Sequence, residues 1–241
     1  MKTVFFASAA VAALIAAPAV AQETVGSAGV AYNYADAKGI ESHGATIDGI
    51  VATPIFGDWT VTMKAAGSYA DTDIIGDDTA LSGQVFLTKK LDTVRVGGFV
   101  GSSDAFGATQ TEIGAVAQKY FNQVTLTGAL SYANINNVIE GADADIINVQ
   151  AEAAYYATPA LRLAAGVAYS EGDILDIDGE TFAAKVGAEY QFASSPYSVF
   201  ASYTYTDADY SVETDGFNIG VRYNFGGGLQ ARDQAGAGFG L

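Results

Sequence analysis

The strongest constraint on the fold is a set of segments in which apolar and polar residues alternate. Residues 59–69, WTVTMKAAGSY, show the pattern, and it recurs at 123–133, 146–157 and 215–225. A period of two places successive side chains on opposite faces of a β-strand. We expect about twelve such strands, at 25–35, 43–54, 58–70, 79–90, 93–103, 109–121, 123–133, 146–157, 160–170, 180–192, 197–206 and 215–225.

The length of these segments indicates a membrane protein. Each has roughly 11–13 residues, whereas strands of globular proteins mostly have about 5–6 and tilted membrane-spanning strands need about 9–11. Short turns alternate with longer connections, which we place at 36–42, 71–78, 104–108, 134–145, 171–179 and 207–214. The sequence therefore predicts an all-β fold, a closed antiparallel transmembrane β-barrel with about twelve strands in an up-and-down meander. Ten or fourteen strands are the alternatives, because the alternation is weakest in the first two segments.

The two ends of the chain differ from this central region. Residues 1–21 combine Lys2, an apolar stretch and the small-residue sequence Ala19-Val20-Ala21, which is typical of a cleaved signal peptide. Residues 22–225 form the predicted barrel, and residues 226–241 form a Gly-rich tail. We expect the tail to be a flexible extension, with a plug that enters the lumen as the alternative.

Composition excludes several classes of function. The chain has no Cys, which rules out disulfides and Cys-ligated metals. Its net charge of −16 argues against nucleic-acid binding. His43 is the only histidine, and its neighbour Ser42 would point to the opposite strand face. No catalytic residues, metal site or enzymatic activity are therefore expected.

Aromatic residues concentrate at the ends of the predicted strands. Two girdles at the membrane boundaries would explain them. Those beside the short turns are Trp59, Tyr120, Phe121, Tyr155, Tyr156, Tyr190, Phe192, Tyr197, Tyr223 and Phe225. Those beside the longer connections are Tyr32, Tyr34, Tyr69, Tyr132, Tyr169, Phe182, Tyr203, Tyr205 and Phe217.

The last strand adds a more specific pattern. Residues 218–225, NIGVRYNF, place Gly220, Tyr223 and Phe225 in the order polar, Gly, aromatic, aromatic. This resembles the terminal-strand assembly signal of Gram-negative outer-membrane β-barrels of the small porin family, although in that family the final aromatic usually ends the chain. The resemblance implies export to the cell outer membrane, contact with its lipid and lipopolysaccharide, and insertion by the barrel-assembly machinery.

The polar face of each strand would line the lumen. Charged residues there are the candidate selectivity residues: Asp48, Lys64, Arg95, Glu112, Glu152, Arg162, Lys185, Glu189 and Arg222. Spacing across the turns predicts that Asp48 lies near Lys64, Arg95 near Glu112, and Glu152 near Arg162. These pairs either cross-link the inner wall or create a selectivity zone. The remaining inward positions are mostly Ala, Gly, Ser and Thr, which should leave a narrow water-filled path.

Acidic residues are concentrated in and beside the longer connections. The predicted acidic mouth includes Asp73, Asp77, Asp78, Asp143, Asp145, Asp173, Asp176 and Asp178. A negative mouth concentrates cations and repels anions. The alternative is that these acids only keep the surface soluble and bind divalent cations shared with lipopolysaccharide. The loop that begins at Asp173 departs from the EF-hand pattern, so only weak divalent-cation binding is expected and no cofactor.

Together these features predict an outer-membrane porin. It would form a narrow channel for passive diffusion of ions and small hydrophilic solutes, with a mild preference for cations. The alternative is a non-conducting structural or adhesive barrel whose acidic surface loops do the work.

Overall fold

The computed structural model describes residues 24–72, 76–105, 107–139, 142–174, 177–209 and 212–239. Twelve strands follow one another along the chain, and each overlaps one predicted segment. The strands are β1 (Val25–Ala37), β2 (Ile40–Phe56), β3 (Trp59–Thr72), β4 (Gly76–Leu91), β5 (Val94–Ala105), β6 (Ala108–Tyr120), β7 (Val124–Ile139), β8 (Ala142–Thr158), β9 (Leu161–Ile174), β10 (Ile177–Gln191), β11 (Tyr197–Ala208) and β12 (Val212–Phe225).

The strands form a closed up-and-down barrel. Each strand pairs antiparallel with its neighbours in the chain, and β1 pairs with β12 to close the ring. The closing register runs from Gly26 opposite Phe225 to Asp36 opposite Asp215. Closure leaves no unpaired sheet edge, as a barrel in lipid requires. The predicted fold class and strand number are confirmed.

The barrel has two open ends. The start of β1, the end of β12 and the connections of two to five residues lie at one end, which we call the turn end. The connections predicted to be longer lie at the opposite end, which we call the loop end.

Side chains alternate between a lipid-facing outer surface and the lumen. Large apolar side chains on the outer face are strongly exposed, for example Ile113 at 61%, Val100 at 54% and Leu130 at 53%. Their inward-facing neighbours are mostly polar, charged or small. A soluble protein would not leave such a belt of apolar side chains in water, whereas a bilayer accommodates it.

The connections at the loop end are shorter than predicted. β1 continues to Ala37 and β2 begins at Ile40, so only Lys38 and Gly39 join them. Both residues have positive φ, 53° and 88°, as tight two-residue hairpins require. The prediction of a longer connection at 36–42 is therefore wrong, and the strand bounds shorten the other five predicted loops, at 71–78, 104–108, 134–145, 171–179 and 207–214, in the same way. Backbone pairing continues beyond the amphipathic pattern because ladder hydrogen bonds do not depend on apolar side chains.

The Gly-rich tail turns back into the barrel. Gly226 and Gly227, with φ of 80° and 131°, reverse the chain after β12. A short helix, α1 (Leu229–Arg232), and a π-helical turn, Asp233–Ala237, follow inside the lumen. The expectation of a flexible extension is wrong, and the plug alternative describes the structure. No helix of the described residues is long and apolar enough to cross a membrane.

Candidate functional site

The lumen holds a charged cluster centred on Arg222. Its Nη2 donates to both carboxylate oxygens of Asp48, at 3.0 and 3.2 Å, and its Nη1 donates to Glu189 at 3.2 Å. The guanidinium also lies over the ring of Phe200, 4.4 Å from its centroid. Three predicted lumen residues on β2, β10 and β12 thus meet. The arrangement joins strands on both sides of the β1–β12 seam.

A second ion pair lies on the neighbouring part of the wall. Arg162 Nη2 forms a hydrogen-bonded ion pair with Glu152, as predicted, although their backbones are not directly opposite. The long Arg162 side chain bridges that offset along the ladder. Lys185 projects into the same region, and among the described residues its ammonium forms no hydrogen bond or ion pair. Its largest favourable electrostatic interaction is with Glu152.

One other predicted pair is offset, and one requires correction. Asp48 lies opposite Ala66, so Lys64 is two positions further along β3 on the same face; the two charges attract each other, while the hydrogen-bonded partner of Asp48 is Arg222. Arg95 lies opposite Gln118 on β6, and Glu112 lies opposite Gly101. Arg95 and Glu112 are therefore six positions apart and do not form a pair. The carboxylate of Glu112 accepts a hydrogen bond of 2.6 Å from Gln84.

Asp233 is the central anchor of the tail. Tyr156 donates its hydroxyl to one carboxylate oxygen at 2.7 Å, and Gln118 Nε2 donates to the other at 3.4 Å. Asp233 is 4% exposed. Burial raises its pKa, and hydrogen bonds from Thr125 and Tyr156 oppose that rise. The carboxylate thereby joins three strands of the wall.

Arginines secure the tail on two other sides. Arg232 Nη1 donates to the carbonyl of Gly26 at 3.2 Å, and its Nη2 is 3.9 Å from Glu189. Burial lowers the pKa of Arg232 to about 10, so the guanidinium stays charged at neutral pH. From the opposite wall, Arg95 Nη2 donates to the carbonyl of Gln234 at 3.1 Å. Arg95 is therefore a lumen residue covered by the tail.

Apolar contacts also hold the tail against the wall. The ring of Phe239 stacks on Phe86 with centroids 4.7 Å apart, in a cluster with Phe99 and Val116. Leu229 packs against Ala154, Tyr156 and Ala164. These contacts bury residues at both ends of the tail.

Two aromatic residues assigned to the girdle face inward instead. Tyr120 is 6% exposed and Tyr156 is 1% exposed, whereas the adjacent Phe121 and Tyr155 are exposed on the outer surface. Tyr120 accepts a hydrogen bond from Arg95 and donates one to Gln118. The sequence contained the signal, because two consecutive aromatics in a strand must face opposite sides.

Two cavities lie inside the barrel. One has a volume of about 480 Å³ and the other about 340 Å³. Both are lined by Asp48, Arg162, Glu189 and Arg222, and the larger is also lined by the tail from Leu229 to Phe239. The lumen therefore holds a charged chamber bounded on one side by the tail.

Acidic residues at the loop end lie on the paired ends of the strands rather than in long connections. Asp36 lies opposite Glu41 and Asp215, and Asp71 lies opposite Asp77. Further opposed acidic residues are Glu171 with Glu180 and Asp207 with Glu213, and the backbone of Asp173 lies opposite that of Asp145 and of Asp178. Like charges directly opposite each other destabilise a ladder.

The other members of the predicted mouth vary in placement. Asp77, Asp143 and Asp145 are exposed, and Asp78 is half-buried. Asp73 and Asp176 lie outside the described residues. Among the described residues, no group of three or more His, Cys, Asp or Glu could hold a metal ion.

His43 lies on the outer face near the loop end. Its Nδ1 is 2.6 Å from the hydroxyl of Tyr32, and its Nε2 is 3.8 Å from Glu41. The hydroxyl of Ser42 instead accepts a hydrogen bond from Thr72 on the other side of the sheet. The two residues diverge, so they cannot act as a nucleophile and base.

The residues of the proposed assembly signal lie at the seam. Gly220 faces the lumen opposite Phe200, and Tyr223 packs edge-on against Tyr197 on the outer surface. Phe225 covers Gly26, where a Cβ would lie 2.5 Å from the ring. These positions shape the closing contacts between β1, β12 and β11.

No family model and no curated protein matches this sequence. Similar solved structures do exist. An outer-membrane channel from Pseudomonas putida F1 matches with a TM-score of 0.65 and 12% identity, over 84% of this chain and 95% of that one. The NanC porin matches with a TM-score of 0.61 and 12% identity, over 81% and 98%.

A third similar structure is the translocator domain of the autotransporter NalP from Neisseria meningitidis. It has a TM-score of 0.57 and 12% identity, over 92% of this chain and 96% of that one. At these identities the likeness concerns the fold alone. The chain has the fold of outer-membrane β-barrels, including porins.

Proposed function

We propose that this protein is an outer-membrane channel through which ions and small hydrophilic solutes diffuse passively, with a mild preference for cations. The observation that carries the proposal is the charged chamber inside a closed barrel with an apolar outer belt. The barrel fold, which it shares with a channel and a porin, supports the proposal.

The charges in the barrel suggest where selectivity would arise. Inside the lumen, arginines and carboxylates largely neutralise one another through the Arg222 and Arg162 ion pairs. The acidic residues around the loop end, which we call the acidic rim, lack such compensation, because Lys38 is the only Lys or Arg in the connections predicted at that end. A local excess of negative charge raises the concentration of cations at the mouth. The rim would therefore select by charge, while the chamber would limit solute size.

Export and partners belong to the same proposal. Residues 1–21 would direct export and be removed, and the barrel would reside in the cell outer membrane among lipid and lipopolysaccharide. The barrel-assembly machinery would recognise Gly220, Tyr223 and Phe225 in β12. We expect no cofactor and no enzymatic activity, with weak divalent-cation binding at the acidic rim.

Planar-bilayer recording tests the channel function. In a salt gradient, the purified protein should give discrete conductance steps and a reversal potential of the sign for cations. A reversal potential near zero or of anion-selective sign would contradict the cation preference. Membranes that stay silent with both the full-length protein and a variant that ends at Phe225 would contradict the channel function itself.

The folded tail also favours a second candidate function. A barrel closed at the turn end would be a non-conducting structural or adhesive protein that presents its acidic rim. Silence of the full-length protein in the bilayer experiment supports this alternative, and conductance by the full-length protein contradicts it.

A further inference from the structure

We propose that residues 226–239 form a tethered stopper that closes the turn end of the lumen, and that undocking of this tail opens a wider path. The inference rests on the proposed channel function. It assigns the tail a gating role by means of contacts that lie outside the loop-end connections, and one of them, Arg232 with Glu189, reaches the charged chamber.

The tail is in contact with several sides of the lumen wall. Polar groups of the wall hold the tail on several sides: Gly26 on β1, Thr62 on β3, Arg95 on β5, Gln118 on β6 and Tyr156 on β8. Phe86 on β4 adds the aromatic stack. Because these strands lie on several sides of the lumen, the tail spans the lumen rather than lying along one wall.

The inner face of the wall is complementary to the tail. Thr62 and Thr88 are completely buried, and Arg95 and Gln118 are only 2% and 1% exposed. In a barrel with an empty lumen these inward-facing polar side chains would contact water. Gly236 has φ of 108°, and a Cβ there would lie 3.2 Å from Arg95. The tail backbone thus approaches the wall at a position where glycine fits best.

In the docked state the buried charge of Arg232 is incompletely compensated. The Nε of Arg232 is buried without a hydrogen-bond partner among the described residues, and the Nη2 of the same guanidinium is 3.9 Å from the carboxylate of Glu189. A buried charge with weak compensation is costly. Water would satisfy the guanidinium after undocking. Hydration of the Arg232 guanidinium therefore opposes the favourable contacts of Asp233 and Phe239 and favours release of the stopper.

The turn-end hinge makes such release mechanically simple. Gly226 and Gly227 connect the tail to β12, and the ladder between β1 and β12 already ends at Gly26 and Phe225. All twelve strands lie before residue 226. Removal of the tail therefore leaves every inter-strand pairing of the barrel in place.

Single-channel conductance of full-length protein and of a variant that ends at Phe225 tests the proposal. Folding of both barrels is checked by heat-modifiable electrophoretic mobility. The truncated barrel should conduct at least about threefold more than the full-length protein, because a twelve-stranded barrel lined by small residues has an open lumen. Equal conductance of the two folded barrels overturns the stopper and leaves the channel function intact. Silence of both overturns the channel function.

A full-length variant tests the proposal if the truncated protein does not fold. Asp233→Ala removes the acceptor of Tyr156 and Gln118, so open periods should become longer or more frequent than in the unsubstituted protein. An unchanged open probability overturns the proposal.

Cysteine labelling tests docking without reference to conductance. The chain contains no native Cys, so a single introduced thiol gives a clean signal. Leu229 is buried and Ala231 is exposed, although both belong to α1. In otherwise full-length protein, Leu229→Cys should react at least about tenfold more slowly than Ala231→Cys with a bulky polar maleimide, a ratio that corresponds to about 1.4 kcal/mol of protection. Equal rates overturn the docked stopper.

Discussion

Arg222 illustrates how a single residue can serve both the wall and the chamber. Its guanidinium neutralises Asp48 and Glu189, and it stacks on Phe200. Arg222→Gln should leave two carboxylates of the chamber without their cation. We expect a stronger cation preference and a loss of about 2 kcal/mol in the free energy of unfolding, since hydrogen bonds to charged groups contribute about that much.

Reversal potentials and urea unfolding in detergent measure both effects. The matched control is Lys185→Gln, which removes one lumen cation that forms no ion pair among the described residues. It should shift selectivity in the same direction with little change in stability. Equal destabilisation by the two substitutions would refute the role assigned to the Arg222 contacts.

The adjacent residues Tyr155 and Tyr156 allow a second comparison of single side chains. Tyr156→Phe removes the hydroxyl that donates to Asp233, whereas Tyr155→Phe removes a hydroxyl from the outer surface. Loss of one hydrogen bond to a buried carboxylate costs about 1–3 kcal/mol. Amide hydrogen exchange in residues 229–237 should therefore accelerate on the order of tenfold in Tyr156→Phe alone. Equal exchange in both variants would contradict the anchoring role of Tyr156.

At the scale of the element, the strands were readable from the sequence and the tail was not. Each strand has its own period-two signature, because one face meets lipid and the other meets the lumen. The tail has no such repeat: residues 226–239, GGGLQARDQAGAGF, are rich in Gly and Ala, which is also the composition of a flexible linker. Its structure depends on Arg95, Gln118 and Tyr156, which are more than seventy residues away in the chain.

Register shows a similar limit within the strands. The Glu152–Arg162 pair was predictable because a long arginine tolerates an offset along the ladder. The Arg95–Glu112 pair was not, because the pairing of β5 with β6 places Arg95 opposite Gln118, further along β6 than the spacing suggested. Estimating the position of each residue along the barrel axis from the centres of the connections therefore identifies the correct face of each strand but not the residue with which it pairs.

Facing acids at the loop end lead to a prediction for one hairpin. Asp71 on β3 lies directly opposite Asp77 on β4. Asp71→Asn should reduce repulsion, so the unfolding temperature should rise slightly at low salt, and its dependence on salt should weaken. Asp58→Asn, at the turn end, is the control and should change neither. A lower unfolding temperature for Asp71→Asn would mean that these carboxylates stabilise the rim.

At the scale of the whole molecule, the barrel exists only if β1 and β12 meet across the full length of the chain. Gly220 lies at this seam, where a Cβ would be 2.4 Å from the carbonyl oxygen of Val30 and 2.5 Å from the ring of Phe200. The first contact is with backbone and cannot be relieved by a side-chain rotation. Gly220→Ala should therefore separate the seam strands and lower the yield of closed barrel.

Refolding into liposomes from urea, without any assembly machinery, isolates this steric effect. Gly216→Ala is a stringent control because Gly216 lies on the same strand and the same face, and its nearest contact would be an ordinary 3.6 Å. We expect Gly216→Ala to refold like the unsubstituted protein and Gly220→Ala to refold markedly less. Normal refolding of Gly220→Ala combined with failed assembly in cells would instead show that this glycine matters for recognition by the machinery, because only the cellular route includes that step.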